Sequence, residues 1–433
     1  MELLYPFFFG EAVPAYANSL VFTGLFAIIF AGYMAWMIGS NDIANAMATS
    51  VGSKALTYKQ AVIIAAIADF LGAVIAGGTV TDTVRKGIVN SDIFANDPNL
   101  LILGMVAAML SAGIWLHVAT SLGLPVSTTH SIVGAIVGFG LLLYGVNAVN
   151  WAKVGSIVAS WILSPIGGGI VAALLYMFIR KVILNAANPM KRMYIWGPIL
   201  GAITIGLLVL AGIWKGFSKM EIMKGIDWTP LNLIAVSSVA ALIGFVVLWF
   251  LVRRYVPENH PDLSGIERIF IILQVMTATY VAFSHGANDV ANAIGPLAAV
   301  LDTLRTGVVT SDVSVPLWIL IYGGGGIALG LSLHGYKVMR TVGEKITEIT
   351  PSRGFAAELS AASVVTVFSK MGMPVSTTHT LVGAVLGIGL VSGAGALNYS
   401  VIRNIAFSWI LTLPVAGILC VTIFWILRMV LSM

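Results

Sequence analysis

Long apolar segments follow one another through most of this 433-residue chain, separated by short polar stretches. Only 9% of the residues are charged, whereas soluble proteins carry about 25%. This is too little charge to cover a water-facing surface around a chain that is 58% hydrophobic. A soluble globular protein is therefore excluded. The apolar segments are continuous rather than alternating, which argues against a β-barrel. The sequence therefore predicts an all-α polytopic membrane protein.

Twelve segments are long enough to cross a bilayer as helices, for which about 20 apolar residues are needed. Several contain Pro or Gly, which predicts broken or re-entrant helices, with breaks at the corresponding positions Pro165 and Pro414. The predicted spans are 17–39, 60–80, 99–122, 126–146, 155–179, 193–213, 231–252, 268–287, 314–336, 355–371, 375–395 and 403–430.

The basic residues predict the orientation, because short cytoplasmic loops are enriched in Lys and Arg. Four basic loops fall on one side of the membrane if the N-terminus is outside. Their residues are Lys54, Lys59, Arg180, Lys181, Lys191, Arg192, Arg253, Arg254, Lys337, Arg340, Lys345 and Arg353. Both termini are therefore predicted outside, although Lys215, Lys219 and Lys224 conflict with this orientation. The basic residues form no stripe interleaved with aromatic side chains, so no nucleic-acid partner is predicted.

An internal duplication divides the chain. GSNDIANA at 39–46 recurs as GANDVANA at 286–293, PVSTTH at 125–130 recurs unchanged at 374–379, and SWIL at 160–163 recurs at 408–411. We predict a first repeat over 17–179, two connecting spans with a central loop over 180–267, and a second repeat over 268–430. Seven crossings separate the starts of the two repeats. Because seven is odd, the repeats are predicted to be inverted, a common plan of transporters.

The first duplicated motif places acids inside apolar segments. Asp42 and Asn45 share one helical face, as do Asp289 and Asn292. A carboxylate inside a span costs about 2.5–3.5 kcal/mol, so these acids need a function or a partner. Capping of a helix just past the span is the structural alternative. Carboxylate and amide oxygens also suit a hard cation.

The second duplicated motif predicts an anion site. Its proline ends one helix, and Ser127, Thr128 and Thr129 open the next, as do their counterparts Ser376, Thr377 and Thr378. Hydroxyls and free backbone N–H groups thus converge at each helix start, where anions bind. Simple N-capping by Ser or Thr is the alternative. Two inverted copies direct two helix starts at one volume, which a phosphate-sized oxyanion fits.

The charge balance of these motifs predicts cation coupling. The duplicated segments contain acids and hydroxyls but no Lys or Arg, and an anion beside Asp42 and Asp289 is repelled at low dielectric. Cations must therefore bind with the anion. Sodium fits the oxygen ligands, while protons are the alternative. Arg305 and Lys370 are possible counter-charges that weaken this argument, and His130 and His379 are either proton relays or, more simply, structural histidines.

The paired GSNDIAN/GANDVAN and GLPVSTTH/GMPVSTTH motifs resemble those of the inorganic phosphate transporter family, which includes sodium-dependent phosphate symporters. The resemblance implies twelve spans, an inverted repeat, outside termini, a homodimer, and transport of phosphate with sodium or protons. It implies a sodium-and-phosphate site at Asp42, Asn45, Asp289 and Asn292, with both Ser-Thr-Thr segments lining the phosphate. It also implies that acids important for function stand at Asp69 and Glu358.

We therefore expect a sodium-coupled phosphate symporter that works by alternating access in the plasma membrane. Its partners are phosphate, co-transported sodium and the lipid bilayer, with no organic cofactor and no catalytic residue. A proton-coupled phosphate permease, a sulfate permease and an anion channel are the alternatives. An intramembrane enzyme is disfavoured, because Ser127 and His130 have no obvious third acid to complete a hydrolase triad.

Overall fold

The computed structural model describes residues 17–78, 94, 97–215, 228–255, 263–309, 315–371 and 375–431. Within these residues the architecture is helical and contains no β-strand, which confirms the all-α membrane class. Several sequence features lie outside the described residues, namely Pro374, Lys219 and Lys224.

Thirteen α-helices are described. They are α1 (Ala17–Gly52), α2 (Tyr58–Ala76), α3 (Pro98–Ser121), α4 (Thr128–Tyr144), α5 (Trp151–Ile179), α6 (Pro189–Lys215), α7 (Pro230–Tyr255), α8 (Leu263–Thr306), α9 (Leu317–Leu333), α10 (Tyr336–Arg340), α11 (Pro351–Lys370), α12 (Thr377–Ser392) and α13 (Tyr399–Leu431). Single π-turns extend α5 over Arg180–Leu184 and α10 over Thr341–Lys345.

Nine helices of the described part of the chain are long and apolar enough to cross a membrane. A tenth span results if α9 and the α10 segment, bent by 66° at their junction, are counted together. Helix α12 has 16 residues, or about 24 Å of length, which is short against a hydrocarbon core of about 30 Å. The total of twelve crossings and the inverted orientation of the repeats therefore stay predictions.

The helices that carry the acidic motifs are longer than predicted. Helix α1 continues to Gly52 instead of ending near residue 39, and α8 runs from Leu263 to Thr306 through its motif. Asp42 and Asp289 are therefore buried inside helices, and the interpretation of these residues as helix caps is wrong. The apolar runs end early in the sequence because polar residues enter the helix at the motif, not because the helix stops.

The predicted breaks at two prolines are also wrong. Helix α5 is continuous through Pro165, and α13 is continuous through Pro414. Interior prolines are tolerated in membrane helices where neighbouring groups compensate for the lost backbone hydrogen bond. Close packing accompanies Pro165, since a Cβ added to Gly383 of α12 would collide with the Pro165 backbone. The Pro and Gly residues here serve helix contact rather than helix termination.

Helices of one repeat pack mainly against helices of the other repeat. Helix α1 of the first copy packs against α9, and α8 of the second copy packs against α2. In the same way α4 packs chiefly against α13, and α12 chiefly against α5. Each duplicated motif is therefore held by helices of the other copy, and this packing brings the four motif segments together.

Candidate functional site

The glycine of each acidic motif allows a neighbouring helix to approach its backbone. A Cβ at Gly39 would collide with the Ile327 backbone of α9, and a Cβ at Gly286 would collide with the Asp69 backbone of α2. Any larger residue would push these helices apart. The motif glycines thus bring α9 against α1, and α2 against α8, at the level of the buried acids.

The first motif contacts the threonines of the second copy. Asn45 Nδ2 donates to Thr377 Oγ1 at 3.1 Å and to Thr378 Oγ1 at 2.9 Å. The same amide donates to Asp42 Oδ1 at 2.7 Å, which fixes the two side chains on one helical face as their spacing predicts. Thr378 Oγ1 also donates to Asp42 Oδ1 at 3.2 Å.

The second motif contacts the threonines of the first copy in the same manner. Asn292 Nδ2 donates to Thr128 Oγ1 at 3.3 Å, to Thr129 Oγ1 at 3.2 Å and to Asp289 Oδ1 at 3.1 Å. Thr377 Oγ1 donates to Asp289 Oδ2 at 3.0 Å, which joins the two halves of the arrangement. Both Asp/Asn pairs and all four threonines therefore form one buried cluster, and each pair is bonded to the other copy.

The two serines of the PVSTTH segments cap their helices. Ser127 Oγ accepts from the His130 N–H, and Ser376 Oγ accepts from the His379 N–H, both at 3.2 Å. The two caps share an extended backbone, with φ near −85° in each. The N-capping alternative is thus correct for the serines, while the threonines point to the Asp/Asn pairs.

A histidine that the sequence analysis did not single out lies at the centre of the acids. His285 Nε2 is 3.3 Å from Asp289 Oδ2 and 3.5 Å from Asp42 Oδ2, while Nδ1 is hydrogen-bonded to Asp69. The ring is fully buried. A signal was present in the sequence, because His285 directly precedes the second motif where the first copy has Ile38.

The three acids and this histidine define what we call the acidic centre (Asp42, Asp69, Asp289 and His285). His285 Nε2 and one oxygen each of Asp42 and Asp289 all lie within 4.8 Å of one another, a separation that a bound metal ion can span. Three carboxylates face one imidazole, and no Lys or Arg of the described residues forms an ion pair with them. Arg305 is exposed, and nothing is described of the Lys370 side chain.

The other predicted acid, Glu358, lies in a separate polar centre. Its Oε1 accepts from Thr49 Oγ1 and Ser50 Oγ at 2.6 Å each and from Gln274 Nε2 at 3.2 Å. Its Oε2 accepts from Thr277 Oγ1 at 2.6 Å. The structure therefore does not bring Asp69 and Glu358 together, although both are fully buried. The donors come from α1 and α8, the two helices that carry the acidic motifs.

Comparisons with known proteins agree over almost the whole chain. The family described as "Phosphate transporter family" matches residues 38–420. A Pyrococcus furiosus protein named as a phosphate permease is 46% identical over 411 residues, which are 94% of this chain and 97% of that protein. The Arabidopsis thaliana protein named inorganic phosphate transporter 2-1, chloroplastic, is 41% identical over 434 residues, covering 94% of this chain and 72% of that protein.

A solved structure of a sodium-dependent phosphate transporter has the same fold. Its TM-score is 0.87 at 40% identity, and the match covers 94% of this chain and 99% of that chain. The matched family and relatives are transporters and permeases rather than enzymes. This multi-pass membrane protein therefore belongs to the phosphate transporter family.

Proposed function

We propose that this protein is a sodium-coupled phosphate symporter that works by alternating access. The observation that carries the proposal is the reciprocal bonding of the two motif pairs, in which each Asp/Asn pair contacts the threonines of the other copy. A solute held at this junction touches both copies at once. Movement of one copy against the other then exposes the solute to either side of the membrane.

Phosphate lies, in this proposal, between the starts of α4 and α12. Free backbone N–H groups and the positive end of the helix dipole favour an anion at each start. Thr128, Thr129, Thr377 and Thr378 add hydroxyl groups, and all four are buried. Those of Thr377 and Thr378 donate to Asp289 and Asp42 here, so they would turn to phosphate once sodium takes over the carboxylates. Ser127 and Ser376 accept one hydrogen bond each as caps, which leaves each hydroxyl proton available for an auxiliary contact with the anion.

Cations accompany phosphate because the acidic centre is already negative. Even with His285 protonated, three carboxylates outnumber the one positive charge. Asp42 Oδ2 and Asp69 Oδ2 are buried acceptors to which no hydrogen bond is donated in the described structure. Buried carboxylate oxygens without donors are costly unless a cation is near. We therefore assign sodium to Asp42, Asn45, Asp289 and Asn292, where it would neutralise the acids and bridge them to phosphate.

Glu358 supports a second cation-linked position in the proposal. Three hydroxyl oxygens lie 2.6 Å from its carboxyl oxygens, so the group is surrounded by donors that would stabilise its ionised form. No Lys or Arg of the described residues forms an ion pair with it. A charged group at this depth is expensive and is characteristic of ion pathways. We propose that a co-transported cation neutralises Glu358 and ties α1 and α8 to α11.

Three further features belong to the proposal on the strength of the sequence. These are location in the plasma membrane, both termini outside, and a homodimer. Eleven of the twelve basic residues of the predicted inner loops are exposed, including Arg180, Lys181, Arg253 and Arg254, and Arg353 is partly buried; this exposure is compatible with the orientation. Labelling of single cysteines placed at each terminus in sealed cells tests the orientation directly.

Isotope uptake tests the proposed function. Proteoliposomes are loaded with buffer, and labelled phosphate is added with an inward gradient of sodium or of potassium at two pH values. We expect saturable uptake that needs sodium at both pH values. Uptake that needs only a proton gradient would show that protons, not sodium, drive transport. The imidazole of His285 would then be a candidate proton acceptor.

Two other outcomes would replace the proposal. Excess sulfate that abolishes phosphate uptake, while sulfate itself is carried, would identify a sulfate permease. Non-saturating flux that ignores sodium would identify an anion channel, since a pore needs no co-bound cation. Empty liposomes and the Ser400→Ala variant serve as controls, because Ser400 is exposed in the first turn of α13.

A further inference from the structure

The last residues of the two PVSTTH segments, His130 and His379, touch each other. Their ring centroids are 4.3 Å apart in an edge-to-face arrangement. Each ring also packs on a tryptophan of a duplicated SWIL segment, His130 on Trp161 at 3.6 Å and His379 on Trp409 at 3.7 Å. The four rings form a continuous aromatic row that contains one histidine and one tryptophan from each copy.

Ring packing, with one long hydrogen bond from His379 Nδ1 to the Trp161 carbonyl oxygen, holds these two histidine side chains. They are 1% and 3% exposed. Among the described residues, no hydrogen-bond partner is present for either ring nitrogen of His130 or for Nε2 of His379. His379 Nδ1 is 3.4 Å from the Trp161 carbonyl oxygen. No carboxylate or cation of the described residues pairs with either ring. A proton relay needs hydrogen-bonded neighbours. The rings are therefore better suited to a packing role than to proton transfer.

The row is fixed to the two helix starts. Each histidine donates its backbone N–H to the capping serine of its own helix, and each follows directly on a threonine of the motif cluster. Trp409 Nε1 donates to the Pro125 carbonyl oxygen at 2.9 Å, just before the start of α4. Because α4 and α12 pack chiefly against α13 and α5, the pair of rings directly links their first turns.

We propose that His130 and His379 are positioning residues for phosphate, whose ring contact sets the distance between the starts of α4 and α12. The inference rests on the proposed placement of phosphate between these helix starts. An oxyanion that is bound from both ends tolerates a change in their separation of only about 0.5 Å. The aromatic row acts as a spacer of fixed width, because close-packed rings resist compression and leave no gap.

Equilibrium binding of labelled phosphate to purified full-length protein in sodium buffer tests the inference. We expect His130→Ala and His379→Ala each to raise the Kd for phosphate about 10-fold. The maximal rate of uptake should stay within about 2-fold of wild type, because the spacing affects binding more than movement. His130→Phe keeps an aromatic edge against His379 and should return the Kd to within about 3-fold of wild type.

The double variant separates a shared contact from two independent roles. Removing both rings deletes the same contact once, so His130→Ala with His379→Ala should bind at most about 3-fold more weakly than either single variant. An additive loss of about 100-fold, an unchanged Kd in both single variants, or a Phe variant as weak as the Ala variant would overturn the inference. His117→Ala is the control, since His117 is exposed and bonded to Tyr33 outside the row.

Folding and the parent proposal are tested separately. If an alanine variant does not purify as folded protein, His130→Leu takes its place, because leucine fills space without an aromatic edge. The same 10-fold rise is expected, and wild-type affinity in that variant contradicts the inference. Wild-type protein that binds no phosphate in sodium contradicts the proposed function itself. Wild-type protein that binds phosphate, with variants that bind it equally well, contradicts only the positioning role.

Discussion

The two copies of the acidic motif have the same geometry and different electrostatics. In both, the asparagine amide donates to the aspartate of its own helix and to two threonines of the other copy. In both, a capping serine starts the helix that carries those threonines. The side-chain hydrogen bonds of the two motifs are therefore duplicated almost without change.

The difference lies one residue before each motif. The second copy has His285, bonded to Asp69, where the first copy has Ile38. One imidazole thus serves both aspartates, at 3.3 and 3.5 Å. The duplicated geometry can therefore hold two similar ligand positions, but only the second copy supplies a histidine beside the aspartates.

The largest effect is expected from removing the charge of either aspartate. Asp42→Asn and Asp289→Asn should each reduce sodium-driven phosphate uptake at least about 100-fold, the equivalent of about 2.8 kcal/mol. The amide keeps the shape of the side chain but loses the charge to which we assign sodium binding. Initial rates in proteoliposomes measure the effect, with Ser400→Ala as control. Near-normal uptake in both aspartate variants would remove the site assignment.

Substitutions at the position before each motif should affect uptake differently in the two copies. His285→Gln is expected to reduce uptake about 30-fold, because Asp69 loses its partner and the two motif aspartates lose the imidazole between them. Ile38→Leu, the matched change in the first copy, should alter uptake less than about 2-fold. The sodium concentration that gives half-maximal uptake should rise only for the histidine variant. Equal losses in both variants would show that packing, not charge, distinguishes this position.

A smaller effect is expected at the separate polar centre. Glu358→Gln should reduce uptake about 10-fold and make its dependence on sodium concentration less steep, because one cation-linked charge is lost. Glu267→Gln is a matched control, since Glu267 is a partly buried acid that accepts hydrogen bonds from Ser352. An unchanged sodium dependence in Glu358→Gln would assign this acid a structural role only.

The smallest effect should be the same in both copies. Ser127→Ala and Ser376→Ala each remove one helix cap and should lower the free energy of unfolding by about 1 kcal/mol. Thermal unfolding in detergent measures this loss, and phosphate affinity should fall less than about 3-fold. A collapse of phosphate affinity without loss of stability would instead identify the serine hydroxyl as an essential ligand.

Much of the site could be predicted because its motifs occur twice in the sequence. Residue types and a nearly constant offset marked Asp42, Asn45, Asp289, Asn292 and the Ser-Thr-Thr segments. The structure places the two Asp/Asn pairs and the four threonines together, while the serines cap the helices that carry those threonines. Helix ends were predicted less well, because α1 and α8 stay helical after the hydropathy falls at their motifs.

His285 and the surroundings of Glu358 depended on tertiary contacts. His285 is not repeated in the first copy, so duplication gave no sign of it. The ligands of Glu358 come from residues 49, 50, 274 and 277, which share no motif and meet only when α1, α8 and α11 pack. Pattern identifies elements that recur in the chain, whereas contacts between single distant residues appear only in the folded protein.

The most direct measurement of the central claim is a structure determined with phosphate and sodium bound. The account predicts phosphate between Thr128, Thr129, Thr377 and Thr378, with a sodium ion within ligand distance of Asp42 or Asp289. Phosphate held by lysine or arginine away from both motif pairs, with no accompanying ion, would contradict it.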